Sequence, residues 1–328
     1  MTAVSGGAAA RCLQIIQLAT GTVSSVLQNA IVVIKSTYQL VWSRPAKSLV
    51  GEVVLITGAG NGIGRQLALE FWEQGGTVIC VDIDEESNEF TAKAINTRHR
   101  RRQEATGITT SQTGWGPAHA YTCDVTDRHQ VAELAQKVLK DLSRVDILVN
   151  SAGNHVQAPE VFVDAVNVNL LSHFWTLLAF LPGMVERNHG HVVAISSASG
   201  VSPPSNKVPY SAATGLMEAL SQELCLDDHD IKLTCAHVYF VDTGSELLEL
   251  KNFRIPELSP QRAARDIISA VQHNKNIVTV PRDLPFCQSV IRTMPWDMRD
   301  IWQELFHVQL TPITPSYQGE VVDDGIKT

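Results

Sequence analysis

Val53-Val54-Leu55-Ile56-Thr57-Gly58-Ala59-Gly60-Asn61-Gly62-Ile63-Gly64 runs without a break into Arg65-Gln66-Leu67-Ala68-Leu69-Glu70-Phe71. The first five residues, β-branched and apolar, read as a buried strand, the glycines as a tight turn, and the segment after them as a helix. Glycine lets the backbone turn sharply and lets a ligand come close, and a helix that starts there points unpaired N–H groups at the same place. A diphosphate suits that arrangement. The turn alone is a weak signal, because any tight loop uses glycine, so its surroundings decide. A second apolar strand, Thr77 to Val81, ends in Asp82. A carboxylate there accepts hydrogen bonds from both hydroxyls of an adenosine ribose and repels a 2′-phosphate, which favours NAD over NADP.

Outward from this unit the chain keeps alternating. Ala120 to Thr122 precedes a helix from Val131 to Leu142, Val145 to Asn150 precedes Val161 to Val185, and His191 to Ser196 precedes Tyr210 to Leu226. Ile231 to Val238 and Ile277 to Val280 follow as further strands. Repeated strand–helix units with apolar, β-branched strands predict an α/β fold, a doubly wound parallel Rossmann sheet covered on both faces. Ligands of such sheets bind at the carboxyl ends of the strands. The expected organisation is a membrane-associated helix and linker over 1–48, one Rossmann domain over 49–310, and a tail over 311–328.

With 328 residues, 44% of them hydrophobic, the chain has enough apolar surface for one large domain. A net charge of −8 argues against nucleic acid as the main partner. The basic run Arg98-His99-Arg100-Arg101-Arg102 opens a polar stretch, Thr97 to Pro117, that reads as a solvated loop inserted before the third strand. Contact with anionic lipid head groups is its alternative. Six cysteines without Cys-x-x-Cys spacing show no metal site and fit a reducing compartment. The body of the protein is therefore expected to face the cytosol.

From Cys12 to Ile34 there are 23 residues without Asp, Glu, Lys or Arg. That is long enough to span a bilayer. Eight of them are Gln, Asn, Ser or Thr, and Ile16, Val23, Leu27, Ile31 and Ile34 fall near helical spacing. This suits an amphipathic helix lying on the membrane surface equally well. Trp42, Arg44 and Lys47 follow as an interfacial aromatic and cations would. A soluble helix packed on the body is the remaining reading.

Thr57-Gly58-x-x-x-Gly62-x-Gly64, Cys123-Asp124-Val125, Asn150-Ser151-Ala152-Gly153, Asn169, Ser197, Tyr210 and Val241-Asp242-Thr243-Gly244 stand in one order. From about Gly51 to Pro281 the chain thus resembles the short-chain dehydrogenase/reductase family. Tyr121-Thr122-Cys123-Asp124-Val125, His173-Phe174-Trp175-Thr176 and Asn188-His189-Gly190-His191-Val192-Val193 resemble its membrane-associated branch. That branch contains retinol dehydrogenase 10, epidermal retinol dehydrogenase and related hydroxysteroid dehydrogenases.

The resemblance implies NAD as cofactor, with Gly58, Gly62, Ile63 and Gly64 at its pyrophosphate, Asp82 at the ribose, and Asp124 and Val125 at the adenine. It implies that Asn150, Ala152 and Gly153 line the cofactor cleft and that Thr243 meets the nicotinamide carboxamide. Ser151 stands where the family carries a second Asn, which weakens the expected side-chain bonding of that loop. The resemblance further implies a lipophilic alcohol of the retinol or steroid kind as substrate. The implied location is the endoplasmic reticulum membrane or a lipid droplet, and the implied assembly a homodimer.

The catalytic set implied is Tyr210 as base, Ser197 on the substrate oxygen and Asn169 in a proton relay. One member of the pattern is missing. Thr214 stands four residues after Tyr210, where the family carries lysine. A tyrosine with an ordinary pKa of about 10 is ionised in roughly one molecule per thousand at pH 7. A neighbouring ammonium at about 4 Å supplies on the order of 4 kcal/mol toward correcting this. Thr214 shares a helix face with Tyr210 and can bond a ribose hydroxyl, but it carries no charge. An alternative is therefore open, a catalytically impaired NAD-binding homologue that regulates or scaffolds an active relative. Lys207 and His173 are read as a solvated loop lysine and a packed helix residue.

Overall fold

A computed structural model describes residues 45–107, 115–153, 162–197, 230–239, 241, 248–251, 258–281 and 309–312, together with Ala212, Gly215 and Ala219. The chain divides into two units between Ala46 and Lys47, and the fold below is that of the second. The expected N-terminal helix, Cys12 to Ile34, lies outside the described residues.

Seven strands form the sheet: β1 (Val53–Thr57), β2 (Thr77–Asp82), β3 (Ala118–Thr122), β4 (Ile147–Asn150), β5 (Gly190–Ser197), β6 (Ile231–Val238) and β8 (Ile277–Val280). Their order is β3-β2-β1-β4-β5-β6-β8, and every pairing is parallel. A short antiparallel pair, β7 (Leu248–Lys251) with β9 (Gln309–Pro312), stands apart from it. The order reverses between β1 and β4, so the loops leaving those two strands diverge and open a crevice at their carboxyl ends.

Alternation along β1 divides the core. Val54 and Ile56 face a cluster with Leu67 and Phe71 of α1 (Gly62–Glu73), Ile95 of α2 (Glu85–Thr106) and Ile267 and Val271 of α6 (Pro260–Gln272). Val53 and Leu55 face the other side. There they meet Val131, Leu134 and Val138 of α3 (Arg128–Leu142) and Leu177, Phe180 and Met184 of α5 (Ser172–Arg187). All five β1 residues are buried, as a parallel strand with helices on both faces requires.

The segment ahead of α5 is not regular. A short α4 (Phe162–Val166) passes into a π-turn over Asn167–Leu171 before α-helical bonding resumes at Ser172. Among the described residues, Val163–Arg187 is the one stretch long and apolar enough to cross a membrane. It lies in mid-chain, 44% of its apolar window is buried within the protein, and its α5 portion packs on the sheet.

Two expectations are corrected. Thr97 to Thr106, read as the start of a solvated loop, continues α2, and the helix ends only at Gly107 in the left-handed conformation. Arg, Gln, Glu and Ala favour helix, His99 packs edge-on against Trp72, and the Arg102 guanidinium lies 3.4 Å from the centre of the Trp115 ring. Lys47, read as a membrane anchor, turns its ammonium inward to His191 Nδ1 at 2.9 Å.

Candidate functional site

β1 and β4 deliver two loops to the same edge of the sheet, and Thr57 ties them together. Its hydroxyl oxygen accepts from the backbone N–H groups of Ser151 and Ala152, both at 3.1 Å. The loop is thus held through its main chain, which does not depend on the side chain at position 151. Gly58 lies so close that an added Cβ would stand 2.9 Å from Ala152 Cα, and its φ of 68° is one that L side chains rarely adopt. A Cβ at Gly64 would stand 2.0 Å from the Gly58 carbonyl oxygen. The turn is folded back on the first residues of α1, and only glycine permits that.

Asn61 caps α1, its side-chain oxygen accepting from Gly62 N–H at 2.8 Å, and Arg65 N–H makes the first backbone bond, to Asn61 O. Helix geometry then leaves the amides of Ile63 and Gly64 without an intrahelical acceptor. Two donors and the positive end of a helix dipole are thereby concentrated at the start of α1, beside the glycine turn. Residues of this kind fit a pyrophosphate.

Asp82 ends β2 beside the turn. Its two oxygens accept from Gly60 N–H at 2.8 Å and Asp84 N–H at 3.0 Å, which fixes the plane of the carboxylate. Asp84 caps α2 through Ser87 N–H, and Glu85 and Glu86 occupy its first turn. Hydrogen bonds from Ser87 hold the Asp84 carboxyl below the usual range. Four acidic residues therefore cluster between the end of β2 and the first turn of α2.

Asp124 follows β3, and its Oδ1 accepts from both the N–H and the hydroxyl of Thr126. Val125 beside it is buried. Asn150, the last residue of β4, is buried and its Oδ1 accepts from Thr176 Oγ1 at 2.8 Å. Its Nδ2 is buried without a protein partner. Asn169 sits in the π-turn, with Oδ1 3.1 Å from where a Cβ on Gly153 would be, so the turn reaches the β4 loop. Ser197 is the last residue of β5, at the same edge of the sheet. Tyr210, Thr214 and Thr243 lie outside the described residues. His173 is fully buried in α5, which pushes its pKa down to about 4 and keeps the ring neutral.

Three contributors to the site were not singled out from sequence: the Thr57 hydroxyl, Arg65 and Thr91. Arg65 directly follows the last glycine, a visible signal. The roles of the two threonines arise from contacts 32 or more residues away in sequence.

The pattern described as short chain dehydrogenase matches residues 52–249. Retinol dehydrogenase 10-B of Danio rerio is 32% identical over 292 residues, covering 80% of this chain and 87% of that protein. Epidermal retinol dehydrogenase 2 of Mus musculus is 35% identical and covers 74% and 78%. Human retinol dehydrogenase 10 is 36% identical and covers 72% and 76%. A metagenomic short-chain oxidoreductase solved in complex with NADP superposes with a TM-score of 0.54 at 25% identity, covering 71% of this chain and 98% of that one. The glycine turn, the parallel sheet and these likenesses agree, and the chain belongs to the short-chain dehydrogenase family.

Proposed function

We propose that this protein is a membrane-associated oxidoreductase that interconverts a lipophilic alcohol, of the retinol or steroid kind, and its carbonyl with NAD. The observation that carries the reading is the crevice at the β1/β4 switch point. There the glycine turn opens α1, whose first-turn amides have no intrahelical acceptor, and Asp82 is locked in place beside it. Asp82, Asp84, Glu85 and Glu86 favour NAD, because a 2′-phosphate placed among them would meet like charge. The nicotinamide ring, when bound, supplies the hydride acceptor or donor. Gly58, Gly62, Ile63 and Gly64 hold the pyrophosphate, Asp124 and Val125 border the adenine, and Asn150, Ala152 and Gly153 line the cleft. Thr214 and Thr243 complete the cofactor site.

Tyr210 takes the hydroxyl proton of the alcohol, Ser197 orients that oxygen by hydrogen bond, and Asn169 passes the proton on toward solvent. The retinol dehydrogenases named above suggest the substrate class. Cys12 to Ile34 is the proposed attachment to the endoplasmic reticulum membrane or a lipid droplet, with the Rossmann domain over 49–310 in the cytosol. Cys80 and Cys123 are free and buried, in keeping with a reducing compartment. A homodimer is the proposed assembly.

One residue favours a second reading. With Thr214 in place of lysine, Tyr210 lacks the charge that lowers its pKa, and the chain then serves as a cofactor-binding partner of an active relative. Calorimetric titration of the detergent-solubilised protein with NAD and NADP, followed by retinol turnover on the same sample, tests both. Tighter NADP binding refutes the role of Asp82. Thr214→Lys is expected to raise alcohol oxidation near neutral pH at least tenfold. NAD binding with no turnover before or after that substitution decides for the second reading.

A further inference from the structure

Both peptides that meet at Gly60 are held. Its N–H donates to Asp82 Oδ2 at 2.8 Å, and its carbonyl accepts from Arg65 Nη2. The preceding carbonyl, of Ala59, accepts from the buried Thr91 hydroxyl at 3.0 Å, and Arg65 Nε donates to that same hydroxyl oxygen at 3.2 Å. A methyl group at Gly60 would stand 2.8 Å from Asp82 Oδ2, so the peptide and the carboxylate are in direct contact. The Arg65 guanidinium is further confined by the Phe90 ring, 5.2 Å from its centroid, although that ring is largely exposed.

Peptide orientation in a glycine turn is soft, because glycine adopts both signs of φ. Were the Gly60–Asn61 peptide to rotate, the Gly60 carbonyl would leave Arg65 and present negative charge to an anion at the turn; were the Ala59–Gly60 peptide to rotate, its N–H would leave Asp82. The bonds from Thr91 to the Ala59 carbonyl and from Arg65 to the Gly60 carbonyl oppose these two rotations in turn. They also occupy Arg65. Its Nη2 and Nε are directed at Gly60 O and the Thr91 hydroxyl, so this cation is committed to the turn and α2 instead of being turned outward to a 2′-phosphate.

We infer that Arg65, seconded by Thr91, is the positioning residue of the glycine turn, holding it and the Asp82 carboxylate in the form that takes the adenosine diphosphate half of the cofactor. The inference rests on the cofactor reading above. Neither residue touches the nicotinamide end, so ADP-ribose is the appropriate probe and no turnover is needed.

The full chain, solubilised in detergent, is titrated calorimetrically with ADP-ribose as the unsubstituted protein, Arg65→Met, Arg65→Lys and Thr91→Val, each with its thermal midpoint. Arg65→Met is expected to weaken ADP-ribose at least tenfold, and Thr91→Val three- to tenfold. Arg65→Lys, which keeps the charge and a donor for Gly60 O, is expected within threefold of the unsubstituted protein. That rescue is something a mere packing role would not give. Should Arg65→Met melt below the assay temperature, Thr91→Val carries the same test, since it removes the hydroxyl at nearly constant volume. Binding within twofold in every folded variant overturns the assignment. Absence of ADP-ribose binding by the unsubstituted protein instead sinks the cofactor reading on which it rests.

Discussion

The two edges of the parallel sheet carry equally polar clusters, and they differ in what is left over. At the amino-terminal edge, Asp146 Oδ2 accepts from Val53 N–H at 3.0 Å and Arg144 Nε at 2.8 Å, while Arg187 stands 3.6 Å from Oδ1. The arginines also donate to the carbonyls of Gly51 and Val145. Nearby, Lys47 donates to His191 Nδ1, His191 Nε2 donates to Thr234, and Thr234 donates to the Lys275 carbonyl. A lysine can only donate, so this chain fixes the tautomer of His191. At the carboxyl-terminal edge, the amides of Ile63 and Gly64 and the Nδ2 of Asn150 lack such closure. The charged cluster at the amino-terminal edge closes on itself and staples the strands, and the carboxyl-terminal edge keeps donors for the proposed cofactor. Glu52, Asp146 and His189 lie close enough to suggest a cation site, but Arg144 and Arg187 already supply the positive charge there.

If that contrast is right, damage to the amino-terminal edge lowers stability and leaves binding alone. Asp146→Ala is the largest such change, because it strands two arginines and an amide around a residue only 3% exposed. A loss of about 3 kcal/mol is expected, near the lower limit for breaking a buried pair since Arg144 is half exposed. In a domain of this size that corresponds to a midpoint drop of roughly 6–12 °C. Thermal unfolding checks it, and the folded protein is expected to bind NAD as before.

The reverse holds at the other edge. Gly64→Ala places a methyl group 2.0 Å from the Gly58 carbonyl, which is backbone and cannot step aside cheaply. The turn must open, and NAD affinity is expected to fall at least tenfold. The accompanying stability change is about 1–3 kcal/mol, the range for overpacking. Unchanged NAD affinity in calorimetry would show that the crevice is not the cofactor site.

Sequence made the carboxyl-terminal edge easy to read and the amino-terminal edge hard. The strand over Val53 to Thr57 and the strands over Ile231 to Val238 and Ile277 to Val280 appear where the apolar runs place them, since buried parallel strands leave a local signature. The glycine spacing likewise announces its turn. Lys47 misled because a lysine near an apolar segment looks the same whether it meets a lipid or a histidine 144 residues away. The run from Arg98 to Arg102 misled because its charge masked good helix propensity, and because Trp72 and Trp115, which hold it, are separated in sequence. The π-turn that carries Asn169 has no pattern of its own in the residues.

A third change separates the two faces of the sheet by pH. Burial pushes His173 down to about 4, and its Nδ1 has no partner, so it folds uncharged. In the unfolded chain it titrates near 6.5, and between that value and about 4 the unfolded state binds the additional proton. Stability from this residue is therefore complete above pH 6.5 and declines as pH falls toward 4. His191, held well below its ordinary value by burial and by Lys47 and Lys232, acts in the same direction. His173→Leu removes one of these histidine contributions along with an unpartnered polar atom. The slope of stability against pH over this window is expected to become shallower, read from urea midpoints at pH 6.5, 5.5 and 4.5.

The smallest effect marks the limit of the contrast. Arg98 and Glu73 join α2 to α1 at 3.0 Å, and each side chain is about half exposed. Water screens such a pair, and the long side chains lose freedom in making it, so the net contribution is within about 0.5 kcal/mol. Arg98→Ala is expected to move the urea midpoint barely beyond error and to leave NAD affinity unchanged. A loss above about 1 kcal/mol would mean that the tip of α2 is held by its charges. The ring packing of His99 on Trp72 and Arg102 on Trp115 would then be secondary, and the basic run would belong with the charged staples of the amino-terminal edge.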